Sequence, residues 1–210
     1  MSIPDKIVPP LSAKKEAILI AAAELFSKKG YAAISMRVLA KEIGITPAAL
    51  YHHYTDKEAL YYAVLQYVFT DKAIAISTLL EKADTPELQL ERLIHWLAEL
   101  FSTDKVFARL LHRELLDGHE ARIKLLTQEV IESPFREIEK LMRRLAPDQN
   151  ARLSTTSIIA LLLGHFELMP VLQHLPGTCE RDDHHAMLVN HAKSLMLCRL
   201  TGKPGNTGAA

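Results

Sequence analysis

Two short helical patterns separated by a single glycine occupy residues 35–54, and this stretch constrains the fold more than any other part of the chain. Ser35 comes first and is a typical N-cap residue, because its hydroxyl can accept a backbone N–H. Gly44 ends the first pattern and suits a left-handed C-cap. Between them, apolar residues at i, i+3, i+4 and i+7 predict one buried helix face: Met36, Leu39, Ala40 and Ile43.

The second pattern predicts a helix with an unusual outer face. Thr46 can cap this helix, and Pro47 fits its first turn, where no N–H is needed. Leu50 and Tyr54 lie four residues apart and are predicted to point inward. Small alanines can approach base edges closely and ring-bearing polar residues can donate to phosphates, so such a face is typical of a helix that enters the DNA major groove. The outward residues are Ala48, Ala49, Tyr51 and His52, with His53 beside them.

Predicted helices on both sides complete a three-helix unit. Downstream, residues 55–58 have the form of a capping box, with Thr55 as N-cap and Glu58 at the third helical position. Lys57 then lies at a helix N-terminus, where a cation and the helix dipole together suit a phosphate. Upstream, one apolar stripe predicts a supporting helix: Ile18, Ala21, Ala22, Leu25 and Phe26.

This stretch resembles the N-terminal domain of TetR-family transcriptional regulators over roughly residues 13–62. The similarity covers Ala22–Phe26, Gly30-Tyr31, Ser35–Arg37, Leu39-Ala40, Gly44–Thr46, Leu50–Tyr54 and Lys57–Leu60. The resemblance implies a homodimer, most often a repressor, that binds a palindromic operator in double-stranded DNA and is released by a small-molecule effector. It also implies that the DNA contacts are Ser35, Arg37, Thr46, Pro47, Ala48, Ala49, Tyr51, His52, His53 and Lys57.

Charge adds little to the DNA-binding prediction. The chain has 25 Lys+Arg and 25 Asp+Glu. Residues 1–60 hold eight basic and six acidic side chains. Each phosphate neutralised by a cation adds to the salt dependence of binding, so we expect that dependence to be modest.

Every remaining periodic pattern is helical, so the predicted fold class is all-α. It consists of an N-terminal three-helix helix-turn-helix DNA-binding domain and a C-terminal helical domain for effector binding and dimerisation. Further helices are predicted at about 57–82, 85–101, 104–118, 120–145, 154–173 and 182–200, and Pro134 must kink or divide the fourth of these. The predicted boundaries are a flexible arm at 1–11, the DNA-binding domain at 12–56, the effector domain at 57–201 and a disordered tail at 202–210.

The 154–173 helix is apolar almost all round, which is typical of a helix that is buried on every side. In a small domain part of that burial is expected against a second copy of the chain. We therefore predict a homodimer through the 154–173 and 182–200 helices, with Gly164 allowing their close approach. A monomer with a thick core is the alternative.

An effector pocket is predicted from large, mostly apolar side chains with a few polar groups among them, because small-molecule sites are lined in this way. Each candidate could instead be a core residue. Glu114 and Glu167 lie on otherwise apolar faces and need partners, and Arg113 or Arg109 could serve Glu114. The pocket candidates are Trp96, Leu100, Phe107, Leu111, His112, Phe135, Leu162, His165, Phe166 and Met169.

No catalytic residue, cofactor or metal is predicted. His119 and Glu120 begin an H-E-x-x-H motif, but position 123 is Ile. Neither a glycine-rich phosphate loop nor a G-x-S-x-G elbow is present. The alternative function is a small all-helical enzyme or metal-binding sensor with a coincidental helix-turn-helix-like motif, and its best metal cluster would be His174, Cys179, His184 and His185.

The sequence also predicts a cytoplasmic location. No basic-then-apolar segment opens the chain, so we expect no secretory signal. Cys179 and Cys198 lack C-x-x-C spacing, which fits a reducing compartment. The longest apolar run, Ile158–Leu163, is too short to cross a bilayer, so no membrane contact is expected.

Overall fold

The computed structural model describes residues 12–81, 84–176 and 181–201, and every regular element within these ranges is helical. The all-α prediction is therefore confirmed. The predicted arm at 1–11 and tail at 202–210 lie outside the described residues. In chain order the helices are α1 Ala13–Lys29, α2 Met36–Ile43, α3 Pro47–His53, α4 Lys57–Leu80, α5 Pro86–Thr103, α6 Lys105–Asp117, α7 Glu120–Leu126, α8 Glu132–Leu145, α9 Ala151–Leu172 and α10 Arg181–Thr201.

The chain forms two compact units, residues 1–68 and 69–210. The division falls inside α4, whereas the sequence predicts a domain boundary at its first residue. Each unit has its own fully buried apolar residues, such as Leu39 and Leu50 in the first and Leu93 and Leu110 in the second.

Local sequence signals set the helices of the first unit. Ser35 Oγ accepts a hydrogen bond from the Val38 backbone N–H at 3.3 Å. Thr46 Oγ1 accepts one from the Ala49 N–H at 3.2 Å. Between them Gly44 has φ 80°, a left-handed conformation that a side chain adopts only with strain. The predicted helix-turn-helix is confirmed.

The start of α4 differs from the prediction. Asp56 is the N-cap, because its Oδ1 accepts a hydrogen bond from the Ala59 N–H at 2.8 Å. The Thr55 hydroxyl donates to the Asp56 carboxylate, and Glu58 accepts a hydrogen bond from the Tyr62 hydroxyl. The Thr55–Glu58 capping box is therefore wrong. A carboxylate at position 56 is a stronger acceptor than the neighbouring hydroxyl and takes the cap position.

Helix α5 is the centre of the second unit. Its Leu93 and Ile94 are fully buried, and it packs against α6, α8, α9 and α10. Thr85 caps this helix, accepting from the Leu88 N–H at 3.3 Å, and Pro86 occupies its first turn.

Near the end of α6 the buried residue is charged, whereas the apolar Leu115 is 58% exposed. Glu114, one residue earlier, is 1% exposed instead. Arg122 of α7 lies across the left-handed turn at Gly118, and its Nε donates to Glu114 Oε2 at 3.0 Å. The buried position at the end of α6 therefore holds an ion pair, and Glu114 has the partner that the sequence showed it to need.

Pro134 divides the long helix expected at 120–145, as predicted. Helix α7 ends at Leu126, a π-helical turn covers Thr127–Ile131, and α8 begins at Glu132. A proline has no N–H, and its ring crowds the carbonyl four residues earlier, here that of Val130. The irregular turn lies where a continuous α-helix would meet that clash.

Two helices, α4 and α9, are long and apolar enough to cross a membrane if only length and composition are considered. Each nevertheless contributes to a core, with Leu60 and Val64 buried in α4 and Ile158 and Leu162 buried in α9. Core helices of soluble proteins pass the same test. These helices therefore do not indicate a membrane protein.

Candidate nucleic-acid interface

Helix α3 has one fully buried residue, Leu50, and a broad exposed face. Successive residues are rotated by about 100° around a helix. The exposed residues therefore form a continuous arc of about 200°, which is wide enough to face a groove. In order around the helix, the arc contains Pro47, Tyr51, Ala48, His52 and Ala49, and all five were predicted to contact DNA.

Around the exposed arc of α3, small side chains alternate with ring-bearing polar ones. Ala48 and Ala49 present only methyl groups, while Tyr51 is 50% exposed. His53 is half-buried, and its ring centroid lies 5.5 Å from that of His52. An α-helix with its side chains is about 10–12 Å in diameter, so α3 can enter a major groove about 12 Å wide.

Leu50 and Tyr54 attach α3 to its unit, as predicted. Tyr54 is half-buried, and its backbone N–H donates to the Leu50 carbonyl at 3.0 Å. Burial raises the pKa of Tyr54 above its usual value of 10.0. Its hydroxyl is therefore neutral at physiological pH, and the inward side of α3 gains no charge.

Ser35 and Thr46 are exposed at the starts of α2 and α3. Each uses its hydroxyl oxygen as an acceptor for a backbone N–H. A hydroxyl can accept and donate at once, so the hydrogen of each remains able to donate to a phosphate oxygen. Capping and DNA contact are therefore compatible at both positions.

Cations near the helix-turn-helix differ in how far the protein itself neutralises them. Lys28 and Lys29 lie 2.8 and 3.9 Å from glutamate carboxylates. Arg37 and Lys41 lie one turn apart on α2, are exposed, and form no ion pair within the described part of the chain. Lys41 was not predicted as a contact, although its spacing from Arg37 already indicated that the two share one face.

Lys57 was predicted to contact a phosphate, and the structure gives its ammonium partners inside the domain. Its Nζ donates to the carbonyl oxygens of Tyr31 and Ile34, each at 3.0 Å. The same atom lies 4.1 Å from the centroid of the Tyr31 ring. An ammonium has three N–H donors and no acceptor, so most of its bonding capacity is used within the protein.

The predicted effector residues are spread along the second unit. Phe107 and Leu162 are core residues, while the other eight are half-buried. The Phe135 ring lies 5.9 Å from the Arg152 guanidinium at the start of α9. Phe166 lies fourteen residues further along α9, or about 21 Å at 1.5 Å per residue. These two candidates therefore cannot line one small pocket together.

Some of the candidates lie closer together around Phe101, which is not one of the predicted effector residues. Its ring centroid lies 6.0 Å from that of Phe107 and 6.3 Å from that of Phe166. Next to Phe166 in sequence, Glu167 Oε1 lies 2.6 Å from His112 Nδ1. This pair joins α6 to α9 across 55 residues, so no sequence spacing could have predicted it.

An open groove of about 560 Å³ lies between α4 and α5. Trp96 is the one predicted effector residue in its lining. Arg92 also lines it and is paired with Asp84. The remaining lining residues are Ala75, Thr78, Leu79, His95 and Glu99.

The described residues contain no group of three or more His, Cys, Asp or Glu side chains that could hold a metal ion. Of the candidate metal ligands, His174 lies at the end of α9, within the described part. Cys179 and the side chains of His184 and His185 lie outside it.

A capped helix, a glycine turn and a second helix with an exposed arc of small and ring-bearing polar residues define a helix-turn-helix DNA-binding domain. Residues 18–64 match the family model described as bacterial regulatory proteins, tetR family. The transcriptional regulator UidR of Escherichia coli strain K12 is 46% identical over 48 residues, which are 23% of this chain and 24% of that protein. Residues 18–64 are therefore similar to the N-terminal DNA-binding domain of TetR-family regulators.

Similarity to solved structures extends over most of the chain and concerns the fold. The fatty acid degradation regulator FadR from Bacillus halodurans has a TM-score of 0.71 at 18% identity, covering 90% of this chain and 97% of that one. AibR, solved with isovaleryl coenzyme A and operator DNA, has a TM-score of 0.68 at 19% identity, covering 87% and 97%. The chain spans only about a quarter of the length of the first curated relatives that it matches.

Proposed function

We propose that this protein is a ligand-responsive, homodimeric transcriptional regulator in the cytoplasm. It acts as a repressor that leaves a palindromic operator when a small-molecule effector binds its second unit. The observation that carries the proposal is the exposed arc of α3, where five residues suited to a DNA groove lie on the side of the helix that Leu50 does not bury. The regulators found by comparison support this class of protein over an enzyme.

The proposed DNA contacts are nine of the ten predicted residues. Pro47, Ala48, Ala49, Tyr51 and His52 would face the groove, with His53 at the edge of that face. Ser35, Arg37 and Thr46 would bind phosphates, because they are exposed at the starts of α2 and α3. Few cations take part, so affinity is expected to depend only modestly on salt.

The proposed dimer interface uses the uncovered face of α9 together with α10. Gly164 has open space where a side chain would begin. Met187 and Leu195 supply further exposed apolar surface on α10. At a helical spacing on α9, five exposed small or apolar residues form one stripe with Gly164: Leu153, Ser157, Ala160, Leu168 and Val171. Such a stripe allows close packing against a second helix.

The proposed effector site lies around the His112–Glu167 pair and the Phe101, Phe107 and Phe166 rings. Such a group combines apolar surface with a polar pair that can orient a ligand, as small-molecule sites do. Helix α4 contains residues of both units, so an effector that displaces it would change the placement of α3. Coupling of this kind between two distinct sites is allosteric.

The proposal is tested by a mobility-shift assay with the DNA upstream of the protein's own gene. We expect a shift at low salt and its loss when an effector is added. An acyl coenzyme A is the first effector to try, because AibR was solved with one. A folded dimer that gives no shift at low salt would contradict the regulator proposal, whereas failure of the acyl coenzyme A alone would contradict only that class of effector.

A further inference from the structure

We infer that Lys57 is a positioning residue, which holds the turn Tyr31–Ile34 and through it the start of α2, and that it does not bind a DNA phosphate. The inference rests on the proposed DNA binding. Its basis is the set of contacts made by one atom, Lys57 Nζ. Two carbonyl oxygens lie 3.0 Å from this atom, and an aromatic ring lies 4.1 Å from it.

Lys57 binds the turn formed by residues 31–34. The Ile34 N–H faces the Tyr31 carbonyl at 3.5 Å, so the turn's own hydrogen bond is long. The Lys57 ammonium supplies a charge-assisted donor to the carbonyls at both ends of this turn. The lysine therefore closes a turn that is weakly closed by its own backbone.

The turn leads directly into the helix-turn-helix, because the residue that follows it is the N-cap of α2. Ile34 is 2% exposed, and the next residue, Ser35, caps α2 through the Val38 N–H. Helix α2 in turn packs against α3. A displacement of the Ile34 carbonyl therefore moves the cap of α2 and, through α2, the exposed arc of α3.

The ring that lies beneath the Lys57 ammonium belongs to Tyr31. The Tyr31 ring centroid lies 4.9 Å from that of Tyr61, and the Tyr61 ring packs edge-on against Phe26 at 4.8 Å. Tyr61 is one turn after Lys57 on α4 and is 1% exposed. One face of α4 therefore holds Tyr31 through a cation–π contact and a ring–ring contact.

Lys57 differs from the nearby exposed cations in its burial and in its partners. Lys57 is half-buried and donates to two carbonyls, whereas Arg37 is exposed without an ion pair in the described ranges. The two carbonyls occupy two of the three N–H donors of the Lys57 ammonium, and a phosphate would have to share the third with the contact to the Tyr31 ring. The exposed Arg37 guanidinium can bind a phosphate without giving up a carbonyl partner. We therefore assign the salt dependence of DNA binding to exposed cations such as Arg37.

The test is Lys57→Met, which keeps the aliphatic stem and removes the ammonium. Its matched control is Lys28→Met, which removes the same charge from an exposed lysine that pairs with Glu24. Operator binding is measured by fluorescence anisotropy across a salt series, at a temperature where circular dichroism shows both variants fully folded. Lys57→Met is expected to weaken binding about tenfold at every salt concentration, while Lys28→Met stays within about twofold.

The salt slope separates positioning from phosphate contact. A lost phosphate contact lowers the slope of log K against log salt by about 0.9 per contact, or about 1.8 for a dimer. We expect Lys57→Met to keep the wild-type slope and Arg37→Gln to lower it. A lowered slope for Lys57→Met, undiminished affinity in its folded state, or an equal loss in Lys28→Met would each overturn the inference.

A second measurement uses no DNA and therefore survives failure of the proposed function. Hydrogen exchange at the Val38 amide, which is bonded to the Ser35 cap, is expected to be at least about tenfold faster in Lys57→Met than in Lys28→Met. Equal exchange in the two variants would overturn the inference. If Lys57→Met does not fold, Tyr31→Leu removes the ring but keeps the carbonyls, and it must show the same weaker binding with an unchanged slope.

Discussion

Truncation of Tyr51 to alanine should separate DNA recognition from folding. The Tyr51 side chain is 50% exposed and lies on the exposed arc of α3, about 100° around the helix from Leu50, which is fully buried. Surface substitutions of this kind change the free energy of unfolding by about 0.5 kcal/mol or less. The melting temperature of Tyr51→Ala is therefore expected to stay within a few degrees of the wild-type value.

The expected effect of Tyr51→Ala on DNA binding is much larger. A hydrogen bond to a charged group such as a phosphate contributes about 1.5–3 kcal/mol. A dimer would lose two of them, or about 3–6 kcal/mol, and each 1.4 kcal/mol is a tenfold change in Kd. The Kd for operator DNA should therefore rise by at least about 100-fold.

The assay pairs fluorescence anisotropy on an operator fragment with thermal unfolding of the free protein. Leu50→Ala is the matched control on the same helix, because truncation of a buried leucine costs about 2–5 kcal/mol and lowers Tm by about 2–4 °C per kcal/mol. If Tyr51→Ala lowers Tm as much as Leu50→Ala does, Tyr51 belongs to the core. If its Kd stays within a few-fold of wild type, the arc of α3 does not read DNA.

Three further outcomes are expected. Arg122→Met removes an ion partner of the buried Glu114 and should lower the unfolding free energy by about 3 kcal/mol, whereas Arg136→Met, from an exposed pair, should cost about 0.5 kcal/mol or less. Urea denaturation measures both, and equal costs would contradict the burial argument. Gly44→Ala has space for a methyl group but keeps φ 80°, so the same assay should show a loss of about 1–2 kcal/mol; no loss would mean that the turn relaxes. Ala160→Glu should convert the dimer to a folded monomer in sedimentation experiments, and a persistent dimer would place the interface elsewhere.

Much of the first unit could be predicted because its signals are local. A cap, a helical stripe and a turn glycine act over four or five residues, and Ser35, Gly44 and Thr46 do in the structure what their positions predicted. The local argument failed at residues 55–58, where two adjacent residues could each cap α4. The carboxylate of Asp56 takes the cap, and the pattern rules alone had favoured Thr55.

The second unit could be predicted as a set of helices but not as a site. Helix positions follow from periodicity and from breakers such as Pro134 and Gly118. Contacts such as His112 with Glu167 join helices that are 55 residues apart, and periodicity says only that a residue faces inward, not which residue it meets. The spread of the predicted effector residues over α5, α6, α8 and α9 has the same cause.

The sequence by itself determined the fold class, the helix-turn-helix and the exposed chemistry of α3, because local hydrogen bonds and periodic apolar residues act within each helix. Only the tertiary structure decided what the long charged side chains do. Lys57 and Arg122 are flexible cations whose partners depend on which carbonyls and carboxylates the fold brings within reach. The fold places the Lys57 ammonium on the carbonyl oxygens of Tyr31 and Ile34, and the Arg122 guanidinium on the Glu114 carboxylate. It does so because a buried polar group must find a partner inside the protein.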